Sequence, residues 1–248
     1  MPSTPQPGAA QRIRQRLAEV QQLHDQAAQE GLSSAITAVK QVQASRFEAT
    51  YADFSNINTH QAAVRFFLDE LYGVRDYSVR DQQFSRIASG IERLFPQAVA
   101  HVAENVADLH SLTEKLDMDM ARCWQQSASI TSVPERYLHC WLQVGAPEQR
   151  WLQLQRVELL GQSLTRLTHL RTLRLTLRMM RAPARAAGLA TLQIMLETGF
   201  EAFCRLPDPE AFIQTIVERE SRVIEQLFDA NHAKSAEWLG QLLAPVQA

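Results

Sequence analysis

The sequence predicts an all-α protein, a single multi-helix bundle of about nine or ten helices, and three observations carry that prediction. Apolar residues recur every three or four positions nearly end to end, the period of helices that bury one face. No run alternates apolar and polar residues over a useful length, and no Asn-Gly or Asp-Gly pair marks a hairpin. Only nine glycines and ten prolines occur, and the prolines gather near the start and at apparent helix junctions.

The elements follow in order. A first helix, rich in Gln, Arg and Ala, is expected over about 9–30 and stops at Gly31, a residue suited to the left-handed position after a helix. A second covers about 33–54. Asn58 and Thr59 can cap a third, in which Val64, Phe67, Leu68 and Leu71 form an i, i+3, i+4, i+7 stripe before Gly73. Ser78, with Asp81 three residues on, resembles a capping box and opens a fourth helix to about 95. Pro96 suits a first turn, and the fifth helix then runs to about 126 with Val99, Val102, Val106, Leu109, Leu116 and Met120 along one seam. Ser132 and Glu135 form a second capping box for a short helix to about 145. Pro147 opens a long stretch to 182, with a kink expected near Gly161 and a break at Pro183. Helices over about 184–204 and 209–228, and a tail helix holding Trp238, Leu239, Leu242 and Leu243, complete the set.

Linkers are short and no repeat of fixed period appears, so residues 9–248 read as one helical domain behind a disordered tail, 1–8. Residues 9–54 leave an alternative open, a helical hairpin that projects or swaps between protomers. The formal net charge of −2 gives no global pull toward nucleic acid or anionic membrane. Lys40, Lys115 and Lys234 are the only lysines, so 22 of the 25 basic residues are arginines. Genomic base composition explains that bias, and recognition of phosphate or carboxylate by guanidinium forks is the sharper alternative. Cys123, Cys140 and Cys204 are odd in number and form no Cys-x-x-Cys pair, which points to reduced thiols and a cytoplasmic location. The polar start lacks the apolar core of a signal peptide, and no stretch of about eighteen apolar residues predicts a membrane span.

Arg65-Phe-Phe-Leu-Asp-Glu-Leu-Tyr-Gly73, followed by Arg75-Asp76 and Arg80-Asp81, resembles the bacterial family named for an FFLEELY motif. Asp69 stands where the motif has glutamate. Leu109-His-Ser-Leu-Thr-Glu-Lys-Leu-Asp117, Arg178-Met-Met-Arg-Ala-Pro-Ala-Arg-Ala-Ala-Gly188 and Leu196-Glu-Thr-Gly-Phe-Glu-Ala-Phe203 fit the same family. The resemblance spans about 50–220 and implies no activity.

Three constellations bear on chemistry. His110, Glu114 and Asp117 lie beside the seam of the fifth helix, His110 and Asp117 at its border and Glu114 further out. His110 and Glu114, four residues apart, can bind one metal ion or share a proton. A di-iron carboxylate site also needs Glu-x-x-His pairs, and none is present. The plainer reading is that the three tie neighbouring helices together. Arg65, Asp69, Arg75, Arg80 and Arg86 form a charge-dense segment next to an aromatic stripe, either an anion pocket or a self-satisfied ion-pair network around Gly73. Arg171, Arg174, Arg178 and Arg181 share an arc of a helix whose adjoining arc carries Leu170, Leu173, Leu177 and Met180. That amphipathic basic edge can meet phosphate, an acidic partner or anionic lipid, or pair with acids on neighbouring helices. It lacks interleaved stacking aromatics, which argues against single-stranded nucleic acid.

Heme attachment through Cys-x-x-Cys-His, a Gly-x-Ser-x-Gly nucleophile elbow, a Walker A loop and a Gly-x-Gly-x-x-Gly loop are all absent from the sequence. The resulting expectation is a protein that acts by binding a protein partner, an anionic ligand or a second copy of itself, without a cofactor and without catalysis. The alternative is a heme-oxygenase-like helical bundle that binds heme, a metal ion or a small molecule, with His110, Glu114 and Asp117 as metal ligands. That comparison rests on fold-level analogy.

Overall fold

The computed structural model describes residues 8–70, 73, 77–94 and 97–244, and every regular element among them is helical. The helices are α1 (Ala9–Gln29), α2 (Ser33–Thr50), α3 (Ala52–Ser55), α4 (Asn58–Glu70), α5 (Ser78–Leu94), α6 (Gln97–Gln126) and α7 (Val133–Val144). They continue with α8 (Pro147–Thr168), α9 (Arg171–Met179), α10 (Arg181–Ala186), α11 (Ala190–Cys204), α12 (Pro209–Leu227) and α13 (His232–Leu243). The all-α expectation holds; the expected nine or ten helices become more, because two long stretches divide. The tail 1–7, Arg75 and Pro96 lie outside the described residues.

The divisions have local causes. α1 ends where Gly31 turns left-handed at φ 67°, with Leu32 N–H donating to Ala27 O and Gly31 N–H to Ala28 O, a Schellman closure. The same closure recurs at Gly188, φ 68°, where Leu189 N–H reaches Ala184 O. The long stretch breaks at Met180, which places Pro183 in the first turn of α10, where a missing N–H costs no helical bond, and Gly188 then ends α10. α8 runs unbroken through Gly161, and the chain turns instead at Leu170. Gly161 is small for packing: a Cβ there would lie within 3 Å of Ile213 side-chain atoms on α12. The capping box expected at Ser132 does not form as drawn. Ser132 makes no side-chain cap bond at α7. The Asp81 carboxylate is engaged by Arg80 and His110.

α6 is the axis, packed by α1, α2, α5, α7 and α8. Because neighbours cover it on several sides, its buried residues include Ala100, Ala103, Ala107, Leu109, Glu114, Asp117 and Met118, well beyond one seam. α1 does not project: Ala10, Ile13, Leu17 and Val20 are buried, and the first three pack with Phe84, Ala88 and Ile91 of α5 and with the alanines of α6. α2 is enclosed from both ends, with Val39 and Val42 in one cluster against α7, α12 and α13 and Phe47 in another. That second cluster joins Phe47 and Tyr51 to Phe67, Phe203 and Phe212, five aromatic rings each worth about 1.5–3 kcal/mol on burial. Phe67 is the buried ring of the 65–73 motif; its neighbour Phe66 approaches Gly199 so closely that a Cβ there would meet the ring at 2.7 Å.

Candidate functional site

The polar residues that α6 carries are drawn inward by α1 and α2. Lys40 Nζ lies 2.5 Å from Glu114 Oε1 and 3.6 Å from Asp117 Oδ2. His24 Nε2 lies 3.2 Å from Glu114 Oε2, and Gln43 Nε2 donates to Asp117 Oδ1 at 2.8 Å. His110 Nε2 meets Asp81 Oδ2 at 2.7 Å, while its Nδ1 is 4.0 Å from Glu114. Glu114, expected further out than its neighbours, is only 6% exposed, because α1 and α2 cover the side of α6 that one helix alone would leave to solvent. Similarly, Glu104 is half-buried under Arg12 of α1, whereas His101 stays exposed.

Charge decides how this cluster is held. Burial alone would push the Glu114 carboxyl up, but the His24 hydrogen bond and the Lys40 charge overcome it and hold the carboxyl well below its usual range. Asp117, 2% exposed, goes the other way: burial dominates, Glu114 adds to it, and Lys40 offsets only part. Lys40 is desolvated too, yet Asp117 and Glu114 keep its ammonium above the ordinary lysine value. The hydrogen bond to Glu114 raises His24. The result is an ammonium clamp on one ionised carboxylate, with a second carboxyl biased toward its neutral form. Among the described residues, no group of three or more His, Cys, Asp or Glu side chains is arranged to hold a metal ion. His110, Glu114 and Asp117 take Asp81, Lys40, His24 and Gln43 as partners.

A cavity of about 80 Å³ lies beside this cluster, between α2, α6, α7, α8 and α12. Its lining mixes apolar residues, among them Phe47, Phe67, Leu109, Val157, Ile216 and Leu227, with Gln43, Arg46, Tyr137, Trp141, Arg150 and Glu220. Arg46 NH1 donates to Glu220 Oε1 at 2.6 Å, and the Tyr51 hydroxyl donates to the same oxygen at 3.0 Å. The Arg150 guanidinium, buried, lies 4.1 Å from the centre of the Trp141 ring. Burial pushes the Tyr137 phenol up, so it stays a neutral donor. Trp141 Nε1 is buried with no hydrogen-bond acceptor. A space of this volume is far below the several hundred Å³ of drug-sized pockets and cannot admit a porphyrin.

The 65–86 segment does not converge on one pocket. Arg80 is buried, over the Tyr77 ring at 4.0 Å, and donates to Glu70 at 3.0 Å and to Asp81 at 3.2 Å. The backbone carbonyl of Asp69 accepts from the Tyr77 hydroxyl at 2.6 Å. Arg65 is exposed, and Arg86 reaches across to Gly188 O at 2.9 Å.

The arginine arc, on α9 and the start of α10, lies over α11. Arg174 donates to Glu201 at 2.9 Å, Arg178 is 3.7 Å from the same carboxylate, and Arg181 donates to Glu197 at 2.9 Å. The side chain of Arg171 lies outside the described set. Those hydrogen bonds hold Glu197 and Glu201 below the ordinary carboxylate range. The surrounding surface is unexpectedly apolar: Leu175 is 60%, Met179 69% and Ile194 65% exposed, with Leu170, Met180 and Leu196 also open.

The chain matches the family described as a domain of unknown function, DUF8198, over residues 22–234. It belongs to that family. No curated protein and no solved structure matches it. The DUF8198 match spans α2 to α12 in full, and so contains the Lys40 cluster, the cavity and the α9–α11 layer. Within this DUF8198 chain, several residues that one-helix reasoning missed hold the sites together: His24, Lys40 and Gln43 around α6, and Arg46, Trp141, Arg150 and Glu220 around the cavity. Lys40 carried the one available signal, since a chain this poor in lysine places it within a helix whose i−1 and i+2 neighbours, Val39 and Val42, are core residues.

Proposed function

We propose that the chain acts by binding, and that its α9–α11 layer docks an acidic protein partner. The observation that supports this most is the pairing of open apolar side chains with a local excess of positive charge. From Arg166 to Leu206 there are seven arginines against two glutamates, in a chain whose total charge is −2. Leu175, Met179 and Ile194 stand in the middle of that stretch, more than half exposed. Large apolar side chains ringed by arginine have the make-up of an interface centre, where Met and Arg are enriched. Pairing this face with itself in a two-fold dimer would set the positive excess against its own copy, which disfavours that arrangement. An acidic partner gains from the same field. Glu197 and Glu201 serve as placeholders: exposed ion pairs are weak in water, so Arg174, Arg178 and Arg181 can exchange them for partner carboxylates.

The test compares wild type with Leu175→Glu/Met179→Glu and with Arg174→Glu/Arg178→Glu, all checked by circular dichroism for unchanged helicity. Capture followed by reconstitution from purified components should give one acidic partner whose affinity falls at least about tenfold in both variants and declines with salt. Equal affinity in all three proteins, self-association through this face, or binding to anionic vesicles alone would overturn the proposal.

A further inference from the structure

The outward face of α8 shares one residue, Arg166, with the basic stretch counted above and is otherwise a different surface. Leu154, Val157 and Leu160 of this helix are buried toward α6 and α12. A helix with one buried face ordinarily sets charge on the opposite one. Here the opposite arc carries Trp151, Leu152 and Leu159, each 40% exposed, together with the exposed Gln155 and Gln162. At 100° per residue these five fall within an arc of about 100°. The arc holds no charge between its ends, and each end carries one: Glu148 in the first turn and Arg166 in the last, both exposed. Eighteen residues separate them, about five turns and about 27 Å, so both project from the midline of the arc.

We infer that this face is a self-association surface, along which two copies of the chain pair with their α8 helices antiparallel about a two-fold axis. Charge selects the occupant and the direction. A two-fold centred between Glu148 and Arg166 sets Glu148 of each copy level with Arg166 of the other, two opposite-charge pairs at the ends of an uncharged middle. A parallel pair would set glutamate against glutamate and arginine against arginine. A partner of uniformly acidic or basic surface would match one end of the arc and oppose the other. Composition fits the middle, since the core of an interface is depleted in charge and enriched in tryptophan. The charges that flank the arc are engaged within the chain: Arg156 lies 3.1 Å from Asp108, and Glu158 accepts from Gln162 at 3.1 Å. Area sets the strength. A strip about 27 Å long and about 10 Å wide, covered on both copies, comes to roughly 500–600 Å², below the ~1,200 Å² at which standard interfaces begin, so the dimer is weak and reversible.

The experiment is sedimentation equilibrium of the full chain from about 2 to about 500 µM, a range that brackets a weak dimer. The wild type should pass from monomer toward dimer across it. Leu152→Glu/Leu159→Glu should lower the association constant at least about tenfold. Glu148→Arg and Arg166→Glu should each weaken association, and Glu148→Arg/Arg166→Glu should restore it. An equimolar mixture of the two single variants should form a dimer that neither forms alone, which tests whether the two ends meet between copies even if the double exchange fails to fold. Circular dichroism checks that helicity is unchanged in every variant. Leu175→Glu/Met179→Glu, on the docking layer, should leave self-association as it is, so this inference and the docking proposal fail separately. A chain monomeric throughout the range, a dimer indifferent to Leu152 and Leu159, a folded double exchange no better than the single variants, or dissociation by the Leu175 and Met179 changes would each overturn the inference.

Discussion

Replacing Lys40 with methionine isolates the ammonium that the α6 cluster is built around. The side chain keeps its length and loses its charge, so packing in α2 changes little while Glu114 and Asp117 lose their cation. Breaking a buried pair by deleting one partner costs about 3–5 kcal/mol, because the remaining charge is left dry and unpaired. For a chain of 248 residues, that corresponds to a fall in melting temperature of roughly 6–20 °C. The pH dependence is the sharper readout. In the wild type Glu114 is held below its free value, so it adds stability above that value and loses it only in strong acid. Without Lys40, burial lifts its carboxyl above the free value, and stability then falls as pH rises through the ordinary glutamate range. The gap between variant and wild type should be widest near about pH 8 and narrow toward about pH 5. His24, raised by Glu114, adds to this trend, because the stability it contributes is complete only below its free value of 6.5 and is lost as pH rises through its raised value. Urea denaturation at both pH values measures the gap. Adding Glu114→Gln to Lys40→Met should recover part of the loss, since it removes the carboxylate left without its cation. A loss below about 1 kcal/mol, or one equal at the two pH values, would refute an ammonium clamp.

Two of the helix-interior glycines, Gly161 and Gly90, should respond in opposite directions to alanine. Gly161→Ala drives a methyl into Ile213 and should cost about 1–2 kcal/mol net, the clash exceeding the gain in helix propensity, with Ile213→Val recovering part of it. Gly90→Ala meets nothing within 4 Å and should gain about 0.5–1 kcal/mol; urea midpoints that move the same way in both would contradict the packing described. Among the thiols, Cys204 is exposed and should react first with iodoacetamide. Cys140 is buried, its thiol pushed up to about 12 by burial and by Cys123, and should stay unmodified until the chain unfolds; equal labelling rates by mass spectrometry would sink this assignment.

Helix content was legible because each helix buries a face whose period survives in the sequence, as Val64 and Phe67 on α4 or Ile13, Leu17 and Val20 on α1 show. The stops were less legible. Gly31 and Gly188 end helices through the same left-handed closure, but only Gly31 stands without a competing proline nearby. Gly161 looked like a hinge and is a contact point, a difference that depends on Ile213, more than fifty residues away in the chain. Nor could periodicity place Glu114. A helical projection of α6 assigns one buried seam, whereas α1, α2, α5, α7 and α8 surround the helix, and polar residues outside the seam go into the core with partners those helices supply.

The same reasoning explains why the α9 edge was half read. The arginine arc follows directly from spacing, but the direction in which each leucine points depends on where α11 lies. Leu173 and Leu177 are half-buried, whereas Leu175 and Met179, four residues apart, share an open face beside Arg178 in the helical projection. A nine-residue helix at the rim has only one neighbouring layer to bury against, so a sequence that alternates leucine and arginine through it must leave part of its apolar surface outside. Exposed apolar groups of this size are costly to keep in water unless another surface covers them. On the docking proposal, the charge around these side chains favours a surface with an excess of carboxylates, so substitutions at Leu175 and Met179 and at Arg174 and Arg178 must weaken the same complex if that proposal is right.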